Sequence, residues 1–197
     1  MDKRIKLPLF LGTVCLIASA ALAAVNAWTY PIISQREEDA RNRGYLETLN
    51  LESGAGLTMS SLQTAEGELA TKGMTGYVFF TNDSDSKLYG AVYNGEVSGW
   101  ESGIKFQVGI ADGLFTGYNN IANNETATIG GTFLTNFSNM IEGVSATDAT
   151  ALSDAINAYI SANIAGATAN YAGVTRGALV PALLACGSHY ASLEATL

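Results

Sequence analysis

Histidine and cysteine are almost missing from this chain of 197 residues, which has one histidine, His189, and two cysteines, Cys15 and Cys186. Without a cluster of Cys and His at ligand spacing, the sequence argues against a transition-metal site. Cys15 sits inside an apolar run, so Cys186 is the only cysteine beyond it and no intramolecular disulfide can form there. Basic residues are scarce as well. Six of the ten stand at or before Arg43, and from Gly44 onward Lys72, Lys87, Lys105 and Arg176 face fourteen acids, a net of −10. A surface of that sign repels phosphate backbones and excludes nucleic acid as a partner. There is no nucleophile–base–acid arrangement and no general base beyond scattered carboxylates.

What is abundant is apolar sequence at the start. Leu7 to Gln35 contains no Asp, Glu, Lys or Arg, and Leu7–Trp28 is a 22-residue apolar run. As a helix it would measure roughly 33 Å, enough for a hydrocarbon core of about 30 Å. Lys3, Arg4 and Lys6 precede it, which places the N-terminus in the cytoplasm. Trp28 and Tyr30 suit the far interface, and Pro31 is expected to end the helix. Ala21-Leu22-Ala23 also fits a signal-peptide cleavage site, but the apolar stretch is longer than a usual signal core, which favours a retained anchor. Gly12-Thr13-Val14 before Cys15 is no lipobox, and the acidic residue of pilin helices is absent.

Arg36 to Leu51 reads as a short charged helix, and Gly54 to Lys72, rich in Gly, Ser and Thr, as a linker or an irregular lead-in. Tyr77–Phe80, Leu88–Tyr93, Ile104–Ile110 and Leu114–Tyr118 are β-rich runs separated by Asn82-Asp83, Asn94-Gly95 and Asp112-Gly113. Those turn dipeptides predict a consecutive antiparallel meander, with tight hairpins at Asn94-Gly95 and Asp112-Gly113. Helical spacing follows over Phe133–Ile141 and Asp148–Ile164, the latter with Thr147 or Asp148 as cap. Asn170 to Ala185 is apolar enough for a buried helix, kinked or broken at Pro181. The fold class is therefore α+β: a transmembrane helix, then one domain with a mainly antiparallel sheet packed by helices. The expected boundaries are 1–6 cytoplasmic, 7–30 anchor, 31–72 stalk and linker, and 73–197 the folded domain.

Among these elements stands Ala165-Gly166-Ala167-Thr168, a turn of small residues leading into the last helix. Unpaired N–H groups and the helix dipole at such a place favour an anion such as phosphate. Ala172-Gly173-Val174-Thr175 repeats the pattern seven residues on, with Val174 bulkier beside a phosphate. A helix N-cap is the ordinary use of such a threonine.

In order and spacing the chain resembles the FMN-binding domain family typified by the G subunit of Rnf complexes and the C subunit of the sodium-pumping NADH:quinone reductase. The likeness runs through Ala24–Ile33 and the charged helix after it, Gly99–Ile110 with its closing Val-Gly-Ile, and Asp112–Gly117. It continues through Asn124-Glu125-Thr126-Ala127-Thr128-Ile129-Gly130, similar to the family's Glu-Thr-Pro-Gly-Leu-Gly loop, and ends at Ala165–Val174, similar to its Ser-Gly-Ala-Thr segment. The resemblance implies FMN bound by a phosphoester to Thr168, installed by a flavin transferase. Ala165, Gly166 and Ala167 would form the turn, and Glu125, Thr126 and Gly130 would line the flavin site. It further implies an extracytoplasmic domain, other membrane subunits of a redox complex as partners, and electron relay in an ion-translocating oxidoreductase. Three departures stand out: Ala165 replaces the family's Ser, Ala162-Asn163 its Asp-Gly, and Ala127-Thr128 its Pro-Gly. They keep open a flavin-free structural subunit; a stand-alone extracytoplasmic FMN electron-transfer protein is the other alternative.

Overall fold

A computed structural model of the chain describes residues 3–164 and 167–197; the side chains of 3–9, 129 and 167–172 lie outside its description. The chain divides into two compact units, Met1–Arg43 and Gly44–Leu197.

The first unit is helical. Helix α1 (Lys3–Thr48) begins in it and runs without interruption into the second unit. The expected stop at Pro31 is not observed. A proline removes one hydrogen bond and crowds the carbonyl four residues back, which costs a helix one contact and leaves the flanking turns free to continue. Phe10, Leu16, Leu22 and Trp28 are each more than two-thirds exposed. Apolar side chains turned outward on every side suit a lipid surround and not a protein core. Among the described residues α1 is the one helix long and apolar enough to cross a membrane.

The second unit is an α+β domain. Strands β3 (Met74–Asn82), β4 (Leu88–Val97), β5 (Ile104–Ala111) and β6 (Leu114–Ala122) form a consecutive antiparallel meander. Two short strands, β1 (Leu57–Met59) and β2 (Gln63–Thr64), pair with the outer side of β3, and helix α2 (Gly67–Thr71) follows them. The Gly/Ser/Thr-rich stretch is thus built into the sheet edge. Asp112 and Gly113, both at positive φ (51° and 71°), make the β5–β6 hairpin. Asn94-Gly95 does not turn: both residues lie inside β4, opposite Gln107 and Phe106 of β5. Gly95 is there for packing, since a Cβ would come within 2.6 Å of Phe106 Cζ. The chain reverses later, over residues 98–103.

A π-helical turn (Ala127–Gly131) leads into α3 (Thr132–Ile141), then α4 (Ala149–Asn163) and α5 (Ala167–Glu194). Asp148 caps α4, its carboxylate accepting from Thr150 and Ala151 N–H at 2.9 Å. Helix α5 continues through Pro181 to Glu194, where a kink or break was expected. Leu179, Ala182, Leu183 and Cys186 around the proline are fully buried, and their packing holds the turn together.

The sheet separates two clusters by strand alternation. Ala91, Tyr93, Phe106 and Val108 face the helices α3–α5 and form the main core with Phe133, Leu152 and Leu183. Val78, Phe80 and Val92 face the other way, against Tyr45 and Leu49 at the end of α1. That end closes with Asn50 at φ 56°, Leu51 N–H reaching Leu46 O at 2.9 Å and Asn50 N–H reaching Glu47 O at 3.0 Å, a Schellman cap. The Thr48 carbonyl accepts from Thr116 Oγ1 at 2.8 Å and lies over Gly117, where a Cβ would approach it to 2.9 Å.

Candidate functional site

The residues singled out in the sequence fall on two neighbouring elements, the loop from β6 to α3 and the start of α5. Ala165 and Gly166 lie outside the described residues. Ala167 and Thr168 are the first residues of α5; their backbone is helical and their side chains are outside the description. The first turn of any α-helix leaves N–H groups without intrahelical partners and carries the positive end of the dipole.

Glu125 is the organising residue of the loop. Its N–H donates to Asn123 Oδ1 and its Oε1 accepts from Glu101 N–H, both at 3.1 Å. Asn124 Nδ2 donates to Ser102 O at 3.0 Å, so the loop is tied twice to the β4–β5 connection. Two glycines make room for the half-buried carboxylate. A Cβ on Gly130 would stand 2.9 Å from Glu125 Cβ and Cδ and against Oε2, and one on Gly99 would collide with Oε1. Thr126 is exposed, and its carbonyl closes the π-turn by accepting from Gly131 N–H at 3.0 Å. Glu125 and Gly130 are therefore brought together; Thr126 contributes backbone.

The same corner contains a residue from α5. A Cβ on Gly99 would also meet Thr175 Oγ1 at 2.9 Å. Thr175 is fully buried, and its hydroxyl has no hydrogen-bond partner among the described residues. Gln107 Oε1, Tyr118 Oη and Asn120 Oδ1 are likewise buried without a partner among the described residues. Native interiors satisfy most such groups through protein or ordered water, so each marks a place for a water or another polar partner. In the sequence Thr175 is visible only as the end of a second small-residue tetrapeptide; its burial is a tertiary property. Nothing in the sequence links Gly99 to Glu125.

Among the described residues the Arg176 guanidinium donates to Asn157 Oδ1 and, at 2.6 Å, to Ser153 Oγ, tying α5 to α4. Trp100 is 64% exposed, while Phe80 and Phe106 are buried. His189 is half-buried, with Nδ1 3.0 Å from Tyr93 Oη and its ring edge-on to Tyr77 at 4.5 Å. Burial lowers the His189 pKa and raises that of Tyr93, to which the Cys186 thiol adds. The tyrosine keeps its proton and the imidazole is held neutral, so the contact joins two uncharged groups and its direction follows the imidazole tautomer. His189 and Tyr77 also line an open cleft of about 750 Å³ with Leu62, Gln63, Glu66 and Leu69.

Among the described residues no group of His, Cys, Asp or Glu is arranged to hold a metal ion. The residues present do fit a phosphorylated, hydroxyl-bearing ligand: a helix start for the anion, and a buried unpaired hydroxyl beside a carboxylate for the polyol. Compared with known proteins, the chain matches no protein-family model and no curated protein.

Proposed function

We propose that this chain is a membrane-anchored flavoprotein subunit, holding FMN through a phosphoester to Thr168 and relaying electrons between membrane redox partners. The setting would be an Rnf-type or related ion-translocating oxidoreductase, with the folded domain outside the cytoplasmic membrane. The observation that carries this reading is the corner where Glu125, seated between Gly99 and Gly130, meets an unpaired buried hydroxyl of the helix that starts at Ala167-Thr168. The family's Glu-Thr loop and its Ser-Gly-Ala-Thr segment, far apart in sequence, would serve one cofactor at such a corner.

FMN would supply the electron chemistry. The chain would supply the rest. The start of α5 favours the phosphate by about 0.3–1 kcal/mol through the dipole. The loop carrying Glu125 would line the flavin and limit water. A covalent tether suits an extracytoplasmic carrier, because a flavin released there would be lost by dilution. The three basic residues before the apolar run of α1, Lys3, Arg4 and Lys6, favour a cytoplasmic N-terminus.

The test is the intact mass of the full chain produced together with a flavin transferase. We expect an increment of one FMN less water, a fluorescent band that survives denaturing electrophoresis, and loss of both in Thr168→Ala. A second reading has its own motive: Ala165 and Ala162-Asn163 replace residues of the family's attachment segment. On that reading the domain is a flavin-free structural subunit of the same kind of complex, and the purified chain shows neither the increment nor a flavin absorption band.

A further inference from the structure

We propose that the Thr175 hydroxyl and the Glu125 carboxylate together hold the ribityl chain of the flavin tethered at Thr168; the inference rests on the flavin reading above and names the contact that orients the cofactor. Positions 168 and 175 belong to one uninterrupted helix, α5. Seven residues of α-helix advance about 10.5 Å and turn about 700°, within about 20° of two full turns. The two positions therefore share one helix face, and a phosphate at the first would lead a five-carbon polyol along that face to the second.

At that level the chain has left a hydroxyl without a partner. A threonine within a helix ordinarily gives its proton to the carbonyl one turn back. Thr29 does so to Val25, Thr48 to Gly44 and Thr135 to Gly131, at 2.9, 2.7 and 2.8 Å. Thr175 does not, although it is fully buried, and the Cβ-less side of Gly99 is where its oxygen and that of Glu125 converge.

The chemistry of the pair selects the part of the ligand. A carboxylate repels phosphate and mismatches the carbonyl oxygens of a flavin ring, but accepts from hydroxyls. A threonine hydroxyl both donates and accepts. A row of secondary alcohols is what such a pair takes best. The burial of Thr175 also separates the two tetrapeptides by role. Thr168, at the helix start, is the attachment point, and Thr175, closed off in the folded chain, is a non-covalent contact.

The test uses the full chain produced with a flavin transferase, as wild type, Thr175→Val and Thr175→Ser. Thr175→Val is expected to keep the FMN mass increment, to lose most of the visible circular dichroism of the bound flavin, and to show several-fold stronger quenching of its fluorescence by iodide. Thr175→Ser restores both. Produced without the transferase, Thr175→Val is expected to unfold at a higher temperature than wild type, because a methyl replaces an unpaired buried hydroxyl; a damaged fold would lower it. A loaded Thr175→Val with unchanged dichroism and quenching overturns the contact alone. Loss of the increment in Thr175→Val with its retention in Thr168→Ala makes Thr175 the attachment point and overturns the assignment. A wild-type chain without the increment removes the flavin reading and this contact together.

Discussion

Gly130 has no unusual backbone angle that would require glycine; its neighbour requires it. The Glu125 side chain occupies the space a methyl would take, with Cβ and Cδ 2.9 Å from that position. Gly130→Ala should therefore cost about 1–3 kcal/mol, the usual range for overpacking, seen as a lower urea midpoint with an unchanged slope. The cause is the Glu125 side chain and not the helix, so Glu125→Ala should recover most of that loss in the double variant, a non-additivity that a backbone effect would not give. His189 supports a second expectation at this scale. Its pKa is lowered in the folded chain by burial beside Tyr77 and Tyr93, with Glu66 across the same cleft. The unfolded chain then binds the proton more readily, so its contribution is complete above the ordinary histidine value of about 6.5 and declines as pH falls below it. Stability measured between pH 7 and pH 5 should drop in wild type and stay flatter in His189→Gln; equal slopes would remove the desolvated imidazole as the cause.

Helices and strands show where periodicity suffices and where it does not. Two dipeptides of the same kind had opposite fates. Asp112-Gly113 became a hairpin because nothing competes for it, whereas Asn94-Gly95 is paired on both sides, with Gly76 and Met74 of β3 and with Gln107 and Phe106 of β5. Two ladders outweigh a local turn preference, and only the strand on the far side reveals it. The meander, α3 and the Asp148 cap of α4 were legible because each depends on residues close in sequence. β1 and β2 were not, since their pairing with β3 comes from the partner strand and not from their own composition. Pro31, expected to end its helix, and Pro181, expected to kink or break its own, both lie inside continuous helices. The close of α1 offers a measurable test of element-level design. Asn50 adopts φ 56° and its Nδ2 donates to Thr116 O at 2.7 Å and Glu142 Oε1 at 2.9 Å. Asn50→Ala combines a left-handed non-glycine residue with two lost hydrogen bonds, so about 2 kcal/mol of chemical-denaturation stability should go. Asn50→Gly keeps the angle and should lose about half of that.

At the scale of the molecule the two units differ in what their surfaces ask for. Unit 1 turns apolar side chains outward along α1, while unit 2 carries both buried clusters and the −10 charge from Gly44 onward. The candidate site was legible in part: Glu125, Gly130 and the α5 start were found from motif order, but the niche at Gly99 and the unpaired Thr175 arise from contacts that join residues 99, 125 and 175 in space. The proposed membrane orientation rests on charge asymmetry and can be checked with thiols. Cys15 lies in the apolar run of α1, and the Cys186 thiol is fully buried with its pKa raised by that burial, so its reactive thiolate is suppressed. The native chain should thus be nearly silent to a membrane-impermeant maleimide. Ser98→Cys places a thiol on the exposed β4–β5 connection. If the positive N-terminus stays in the cytoplasm and α1 crosses once, intact cells should label Ser98→Cys fully before any permeabilisation. Labelling that appears only after permeabilisation would put the domain inside, and the dilution argument for a covalent flavin would fall with it.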